Sequence, residues 1–229
     1  LIASLGVDFA LLEDFSRVRD YSPERFVNEL VKEKANVKAA VCGFNFRFGK
    51  MGLGDSDTLR ELMGDDGCII VPPVYRDGRL VSSTAIRLFI SAGEMDKAAD
   101  MLGRPFFIDF PVVHGKQLGR TIGIPTINQN FPEGHIIPKS GIYACTVDIG
   151  GDIFLGVSNV GTRPTIKNDR HVINCETHII NYNGWLYGKD IKVSFHKRLR
   201  DEMKFPDIDS LKAQIGRDIV STKEYFSDK

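Results

Sequence analysis

Residues 141–158 read GIYACTVDIGGDIFLGVS, two runs of β-branched and aromatic residues separated by Gly150-Gly151. Such runs favour strands, and two adjacent glycines readily adopt the backbone angles of a tight hairpin turn. The stretch therefore predicts an antiparallel hairpin. Further strand-like runs lie at 107–113, 172–180 and 190–199, and Asn183-Gly184 indicates a second turn. Short strands at such close spacing are typical of a small closed barrel.

Helical patterns lie on both sides of this predicted barrel. After it, apolar residues three or four positions apart predict a final helix that packs across the barrel: Ile208, Leu211, Ile215 and Ile219. Before it, strands are predicted at 6–12, 38–42 and 68–71, with helices at 22–31, 58–63, 83–93 and 94–102. Strands that alternate with helices indicate a parallel sheet. We therefore predict half of a doubly wound α/β domain over residues 1–103 and a barrel domain over 104–229.

Charge and cysteine content disfavour several kinds of function. Lys+Arg and Asp+Glu both number 30, so the chain has no global basic field for nucleic acid or an acidic membrane. The cysteines, Cys42, Cys68, Cys145 and Cys175, form no CxxC pair, which argues against a zinc ribbon or a thioredoxin-like motif. We expect them to be buried apolar residues. With no apolar run of membrane-spanning length and no leader pattern, the expected location is cytoplasmic.

The chemistry is concentrated in residues 114–128, which read HGKQLGRTIGIPTIN. Three glycines spaced four apart allow the backbone to present N–H groups to a bulky anion, and two cations add positive charge. These residues are Gly115, Lys116, Gly119, Arg120 and Gly123. No GxxxxGK[ST] motif occurs, so this is not a P-loop. On glycine spacing alone, a glycine-rich hairpin in a barrel is an equal alternative.

The end of this stretch favours phosphate binding over a plain hairpin. Thr126 and Asn128 are two residues apart, so on an extended segment both side chains project from one face. Two neutral oxygen ligands there can hold Mg²⁺, which takes its other ligands from water and ATP phosphates. The sequence therefore predicts a Mg-ATP site that includes Thr126 and Asn128.

The same stretch begins a series of ordered motifs. They are HGxxxGRxxGxPTxN, then SGIYACTV at 140–147, GVSNVGTRPT at 156–165, Glu-Thr-His at 176–178, LYGKDIKVSF at 186–195 and LRDEMKF at 199–205. In this order they resemble the riboflavin kinase family over residues 104–229. The closest resemblance is to the C-terminal module of bacterial bifunctional riboflavin kinase/FAD synthetases. One departure is Ile127, where the family usually has Ala.

This resemblance implies a Greek-key β-barrel with a C-terminal helix, which binds Mg-ATP under the glycine-rich loop and riboflavin on the other side. Glu176 matches the family's catalytic carboxylate, which accepts the proton of the ribityl 5′-hydroxyl. That role fits phosphoryl transfer, which needs positioning, a metal and a base near the nucleophile. Arg200, Glu202 and Phe205 match positions near the flavin ring. For Phe205, plain core packing is an alternative.

A second group of motifs lies in the first domain. GFNFRFG at 43–49 places three aromatic rings around an Arg, and SSTAIR at 82–87 opens a helix whose hydroxyls and N–H groups can converge on phosphates. Together they resemble an FMN adenylyltransferase module, and the resemblance implies a partial Rossmann-like nucleotidyltransferase domain here. The implied substrate-binding positions are Gly43, Phe44, Asn45, Phe46, Arg47, Ser83, Thr84 and Arg87. Asn45 stands where that pattern has Asp.

Adenylyltransferases of this class also carry a GxFDGxHxGH loop, and the sequence contains no HxGH. We therefore expect the chain to be N-terminally incomplete and to adenylylate FMN poorly, although the longer family members make FAD. Such a domain exposes an unpaired sheet edge, so self-association is a further expectation.

The sequence thus predicts an ATP:riboflavin 5′-phosphotransferase with Mg-ATP, riboflavin and FMN as its small-molecule partners, and with neither nucleic acid nor membrane as a partner. Two alternatives belong to other classes. One is a flavin- or nucleotide-binding module that has lost catalysis and acts as a carrier or regulator, against which the intact Thr126, Asn128 and Glu176 argue. The other is a nucleic-acid-binding barrel, which the balanced charge disfavours.

Overall fold

The computed structural model describes residues 2–115, 118–163 and 172–227. The chain divides into two compact units, residues 1–75 and 76–229, and each has a hydrophobic core of its own. Two helices that precede the barrel strands belong to the second unit. The domain boundary near Gly103 stays a prediction.

The first unit is a small α/β arrangement. Its elements are the 3-10 turn Ala3–Leu5, α1 (Phe15–Val18), α2 (Pro23–Arg25) continuing as the π-helix Phe26–Lys34, β1 (Ala40–Gly43), β2 (Arg47–Phe48), the 3-10 turn Lys50–Gly52, β3 (Gly54–Asp55), α3 (Ser56–Met63), the 3-10 turn Asp65–Gly67 and β4 (Cys68–Val71). β1 pairs with β4 in parallel, from Ala40 opposite Cys68 to Gly43 opposite Val71. The predicted parallel α/β pattern is therefore confirmed.

Two local predictions in this unit have different outcomes. The helix start at Ser22-Pro23 is confirmed, because the Ser22 hydroxyl accepts a hydrogen bond from the backbone N–H of Arg25 at 3.2 Å. The strand at 6–12 is wrong, since residues 7–14 form no strand, and Phe9 and Leu12 are more than nine-tenths exposed. An apolar run becomes a strand only where a neighbour satisfies its backbone, and none of the described strands pairs with this run.

A short hairpin, β5 (Tyr75–Arg76) and β6 (Arg79–Leu80), precedes the second unit's larger elements. These are α4 (Ser83–Ala92), α5 (Met95–Leu102), β7 (Phe106–Pro111), α6 (Leu118–Thr121), β8 (Thr126–Asn130), β9 (Gly141–Ile149), β10 (Asp152–Arg163), β11 (Val172–Ile179), β12 (Asp190–Arg200) and α7 (Ile208–Ser227). Ser82 caps α4, because its hydroxyl accepts from the N–H of Ala85, and the helix predicted at 83–93 is confirmed.

The six long strands form one curled antiparallel sheet in the order β7-β12-β9-β10-β11-β8. The sheet curls until β8 approaches β7, where the N–H of Val113 donates to the carbonyl of Asn128 at 2.8 Å. The Greek-key barrel and the turn at Gly150-Gly151 are confirmed. The hairpin at Asn183-Gly184 is wrong, because β11 pairs with β10 and β8, so residues 180–189 form a longer connection to β12.

α7 is bound to the barrel by an ion pair as well as by apolar contacts. Ile219 packs against Ile142, Val157 and Ile180 of the barrel. Asp218, only 4% exposed, accepts from Arg200 Nε at 2.9 Å and Arg200 Nη2 at 2.7 Å. A bidentate arginine-carboxylate pair fixes both distance and orientation, so this contact holds α7 against the end of β12.

Loss of the Asp218 carboxylate should therefore destabilise the second unit. In Asp218→Ala the Arg200 charge remains largely buried without its counter-ion, which costs on the order of 3 kcal/mol of unfolding free energy. Glu224→Gln, an exposed position on the same helix, should change it by less than about 0.5 kcal/mol. Urea denaturation of the three proteins measures both values, and equal stabilities would show that the pair does not hold the helix.

All four thiols are free and buried, as expected. Burial raises the pKa of Cys175 to about 11 and that of Cys145 well above its ordinary value. At neutral pH neither thiol forms the reactive thiolate, and neither is accessible. We expect a maleimide to label the native protein only as fast as it unfolds, but to label four thiols at once in urea. Mass spectrometry against time tests this, and rapid labelling of the native protein would contradict it.

Candidate active site

Polar side chains line up across three neighbouring strands on one face of the curled sheet. Thr126 of β8 lies opposite His178 of β11, and Asn128 lies opposite Glu176. On the other side of β11, Glu176 lies opposite Asn159 of β10. Residues directly opposite in an antiparallel pair project to the same face, with Cβ atoms about 4.5–5.5 Å apart. The predicted metal ligands and the predicted base therefore lie side by side.

This face borders a cavity of about 250 Å³. Six of the residues that the sequence assigned to phosphate, metal, catalysis or flavin line it: Gly119, Thr126, Glu176, Arg200, Glu202 and Phe205. They come from α6, β8, β11, the end of β12 and the segment that follows it. The fold thus brings together residues that are up to 86 positions apart in the sequence, Gly119 and Phe205 (205 − 119 = 86).

A buried asparagine orients both the predicted base and a predicted metal ligand. Asn174 Nδ2 donates to Asn128 Oδ1 at 3.1 Å, and it lies 3.4 Å from Glu176 Oε1. Asn128 and Asn174 are each 5% exposed, so neither side chain is free to swing into solvent. A carbonyl oxygen has two lone pairs, so Asn128 Oδ1 keeps one for a further partner.

The glycine-rich segment fits closely against β8. A Cβ atom on Gly115 would lie 2.5 Å from Asn128 Nδ2, and one on Gly119 would overlap the carbonyl oxygen of Ile124. Only glycine permits these approaches. The carbonyl of Pro125 can only accept, so the 2.8 Å contact with His178 Nδ1 means that this nitrogen carries the proton. Lys116 lies outside the described residues, as does the Arg120 side chain, so their predicted roles stay predictions.

The three residues predicted to lie near the flavin ring have different surroundings. Arg200 lines the cavity, but Asp218 and the carbonyl of Asp201 occupy its guanidinium. The carboxylate of Glu202 fills the space that a side chain at position 161 would take, because a Cβ on Gly161 would overlap its Oε1. Phe205 is half-buried at the cavity wall, apart from the main barrel core.

A second cavity, of about 430 Å³, lies beside the first, and Thr126 borders both. Aromatic residues of the β11–β12 connection line it, namely Tyr182, Trp185 and Tyr187. The Tyr187 ring stacks on His114, with centroids 4.1 Å apart. Sequence reasoning missed these aromatics, although the aromatic residues around Asn183-Gly184 are unusual for a simple turn and were a usable signal.

The predicted adenylyltransferase residues belong to both compact units. In the first unit, Gly43 ends β1, Phe44 is exposed, and Asn45 and Phe46 lead into Arg47 of β2. The Phe46 ring stacks on Phe48 of the core, with centroids 5.5 Å apart. Of these three rings, only the exposed Phe44 is therefore available to contact a ligand. Arg47 pairs with Asp55 at 3.5 Å.

In the second unit, Ser83, Thr84 and Arg87 are exposed on the first turns of α4. Ser83 and Arg87 are four residues apart and so share one side of the helix. This arrangement leaves a hydroxyl, a cation and the helix N-terminus available to an anion.

Two wider properties complete the description. Among the described residues, no helix combines the length and apolar character needed to cross a membrane. The same residues hold no group of three or more His, Cys, Asp or Glu side chains placed to bind a metal ion.

Comparison with known proteins divides the chain into two matched parts. The family model described as riboflavin kinase matches residues 102–226, and the one described as FAD synthetase matches residues 1–85. The second match gives no support to the expectation that FMN adenylyltransferase activity is absent, and that expectation stays a prediction. The same holds for the expected N-terminal incompleteness.

Related proteins match nearly the whole chain. The bifunctional riboflavin kinase/FMN adenylyltransferase of Bacillus subtilis is 35% identical over 99% of this chain and 72% of its own length. That of Escherichia coli K12 is 36% identical over 98% and 72%. A crystal structure described as a macrolide-efflux protein from Streptococcus pneumoniae is 31% identical with a TM-score of 0.85, over 97% of this chain and 72% of that one. The chain therefore belongs to the bifunctional riboflavin kinase/FMN adenylyltransferase family of enzymes.

Proposed function

We propose that the barrel unit transfers the γ-phosphoryl group of ATP to the ribityl 5′-hydroxyl of riboflavin, giving FMN and ADP, with Glu176 as the base. One observation carries this proposal. Glu176 and the oxygen donors Thr126 and Asn128 lie side by side, and Thr126 forms part of the wall between two cavities. Phosphoryl transfer requires the phosphate donor and the acceptor hydroxyl to meet. Substrates in two cavities that share Thr126 would meet beside that residue.

The two cavities suit different substrates. The aromatic residues of the 430 Å³ cavity, Tyr182, Trp185 and Tyr187, offer flat apolar surfaces to an adenine ring. The phosphates would then extend past Thr126 towards the glycine-rich segment. The 250 Å³ cavity contains Phe205 together with Glu176, and it suits a flavin whose hydroxyl chain points to the base.

The donor set fits Mg²⁺ better than a transition metal. Thr126 and Asn128 supply neutral oxygens, and Asn128 Oδ1, which accepts from Asn174, keeps one lone pair for a further partner. Mg²⁺ prefers oxygen ligands and keeps several of its waters or phosphate oxygens. When bound there, the ion would neutralise part of the phosphate charge.

The protein's own residues would act through position and proton transfer. Glu176 accepts the proton of the 5′-hydroxyl as that oxygen forms its bond to the γ-phosphorus, and the bond from the γ-phosphorus to the β-γ bridging oxygen breaks to release ADP. Asn174 keeps the carboxylate turned towards the site by its contact with Oε1. The close fit of Gly115 and Gly119 against β8 holds the loop beside the phosphates.

Glu176→Gln should abolish the kinase reaction without loss of binding. The amide keeps the size of the carboxylate but cannot accept the proton, so the turnover number should fall by about 10²- to 10⁴-fold. Chromatography of FMN formed from riboflavin, ATP and Mg²⁺ measures this, and equilibrium binding of each substrate shows that the site is intact. Glu133→Gln, in an exposed loop, is the matched control. Undiminished turnover in Glu176→Gln would exclude Glu176 as the base, and an inactive wild-type protein would favour a carrier module.

We also propose that residues 43–47 and 83–87 serve FMN adenylylation and that the 229 residues alone form FAD slowly. The reason is the absence of an HxGH motif from the sequence, which the resemblance associates with that step. With FMN, ATP and Mg²⁺, we expect FAD to appear far more slowly than FMN appears from riboflavin. Rapid FAD formation would show that other residues supply the catalytic groups.

A further inference from the structure

A buried polar atom at the active-site face has no partner to explain it. Asn159 Oδ1 is buried, and the described residues offer it no hydrogen-bond donor. Asn159 lines the 250 Å³ cavity and lies directly opposite Glu176 across the β10–β11 pair. A buried polar atom without a partner destabilises a fold, so its presence at a site indicates a partner that arrives with the ligand.

The position of Asn159 indicates which part of a ligand reaches it. Pairing across four strands places Asn128, Glu176, Asn159 and Ile142 in one row. The candidate metal ligand lies on one side of the base, and Asn159 lies on the other. Beyond Asn159 the cavity wall contains Ile142 and Val157 from the barrel and Ile215 from α7. Arg200 lies opposite Ile142 in the same wall, with its guanidinium held by Asp218. A ligand that places a hydroxyl at Glu176 and a flat ring against the apolar wall must extend its connecting chain over Asn159.

The chemistry of the lining points to the same part of the ligand. Near Asn159 the cavity contains the carboxylates of Glu176 and Glu202, which accept hydrogen bonds when ionised. Several hydrogen-bond acceptors close together suit a chain of hydroxyl groups, because each hydroxyl can donate a hydrogen bond. The argument holds for either orientation of the Asn159 amide, since a hydroxyl donates to Oδ1 or accepts from Nδ2 equally well.

We propose that Asn159 binds a hydroxyl of the ribityl chain next to the reacting 5′-hydroxyl and so selects flavins that carry a polyol chain. The proposal rests on the kinase function above and deepens it by assigning a substrate-specificity residue. Asn159 orients the chain so that the terminal hydroxyl meets Glu176, and it takes no part in proton transfer.

The test compares two flavins in two variants. Asn159→Leu has nearly the same volume but no hydrogen-bonding atoms, and riboflavin differs from lumiflavin in carrying the hydroxyl chain. We expect the dissociation constant of riboflavin, measured by quenching of flavin fluorescence, to rise about 3- to 10-fold, which corresponds to the loss of one hydrogen bond. Lumiflavin binding should not change. Asn159→Ser, which retains a hydroxyl, should recover part of the riboflavin affinity.

Stability provides a second readout that separates binding from folding. Because Asn159→Leu removes an unsatisfied polar atom, its melting temperature should equal or exceed that of the wild type. The control is Ser158→Ala on the same strand, whose hydroxyl contacts Thr177 Oγ1 at 2.8 Å in the buried core. This control should lower the melting temperature and leave riboflavin binding unchanged.

The outcomes separate the two proposals. Equal weakening of riboflavin and lumiflavin, or no weakening of either, would overturn the assignment of Asn159 to the hydroxyl chain. A lower melting temperature in Asn159→Leu, with no recovery of riboflavin affinity in Asn159→Ser, would also overturn it, in favour of a structural role. Failure of the wild-type protein to phosphorylate riboflavin would instead reject the kinase function, whatever the variants bind.

Discussion

The pairing register of β8 with β11 is the constraint on which the candidate active site depends. Side chains alternate along a strand, so a slip of one residue would turn Thr126 and Asn128 away from Glu176 and into the core. Gln129, the next residue after Asn128, prevents such a slip. It is fully buried, and its Nε2 donates to the carbonyls of Phe110 and Ile191, each at 2.7 Å. A core amide that bridges β7 and β12 thus fixes the register of the functional residue beside it.

The loop that precedes β8 is tied to the same register. Gly115 lies against the Asn128 amide, and the carbonyl of Pro125 accepts from His178, so both ends of the segment follow the β8–β11 pair. The glycines therefore have two functions that cannot be separated. In the proposed function they would present backbone N–H groups to phosphates, and they allow the loop to approach β8, which carries the candidate metal ligands. A side chain at Gly115 would displace the loop from β8.

Local sequence signals predicted where strands and turns form better than they predicted which strands pair with one another. Strand β9 and the turn at Gly150-Gly151 follow from residue type alone, because β-branched runs and paired glycines have few alternatives. The strand at 6–12 failed because strand formation depends on a neighbour that the run itself does not specify. Asn183-Gly184 failed for the same reason, since the dipeptide permits a tight turn but does not decide which strands it joins.

The site residues divide in a similar way. The placement of Thr126 and Asn128 on one face was predictable from their spacing of two residues. The roles of these two residues and of Glu176 were inferred from motifs that resemble those of a known family, and they stay predictions. The role proposed for Asn159 could not be predicted from the sequence, although Asn159 lies in the recognised motif GVSNVGTRPT at 156–165. Asparagine in a strand carries no signal by itself, and its meaning arises from the residue opposite it and from the missing partner of its oxygen. The same is true of Arg200, whose ion pair with Asp218 depends on where α7 packs.

The ion pair between Arg200 and Asp218 joins the stability of the barrel to the shape of the candidate site. Arg200 lines the 250 Å³ cavity, while its guanidinium is held by a carboxylate of α7. The same helix contributes Leu211 and Ile215 to the cavity wall. The helix that closes the apolar end of the cavity is therefore positioned by a polar contact at the cavity's edge. The unsatisfied oxygen of Asn159 costs stability, and the apolar core around Tyr143 and Phe195 offsets that cost. The barrel can thus keep acceptors directed into the cavity because its opposite face packs closely around those two rings.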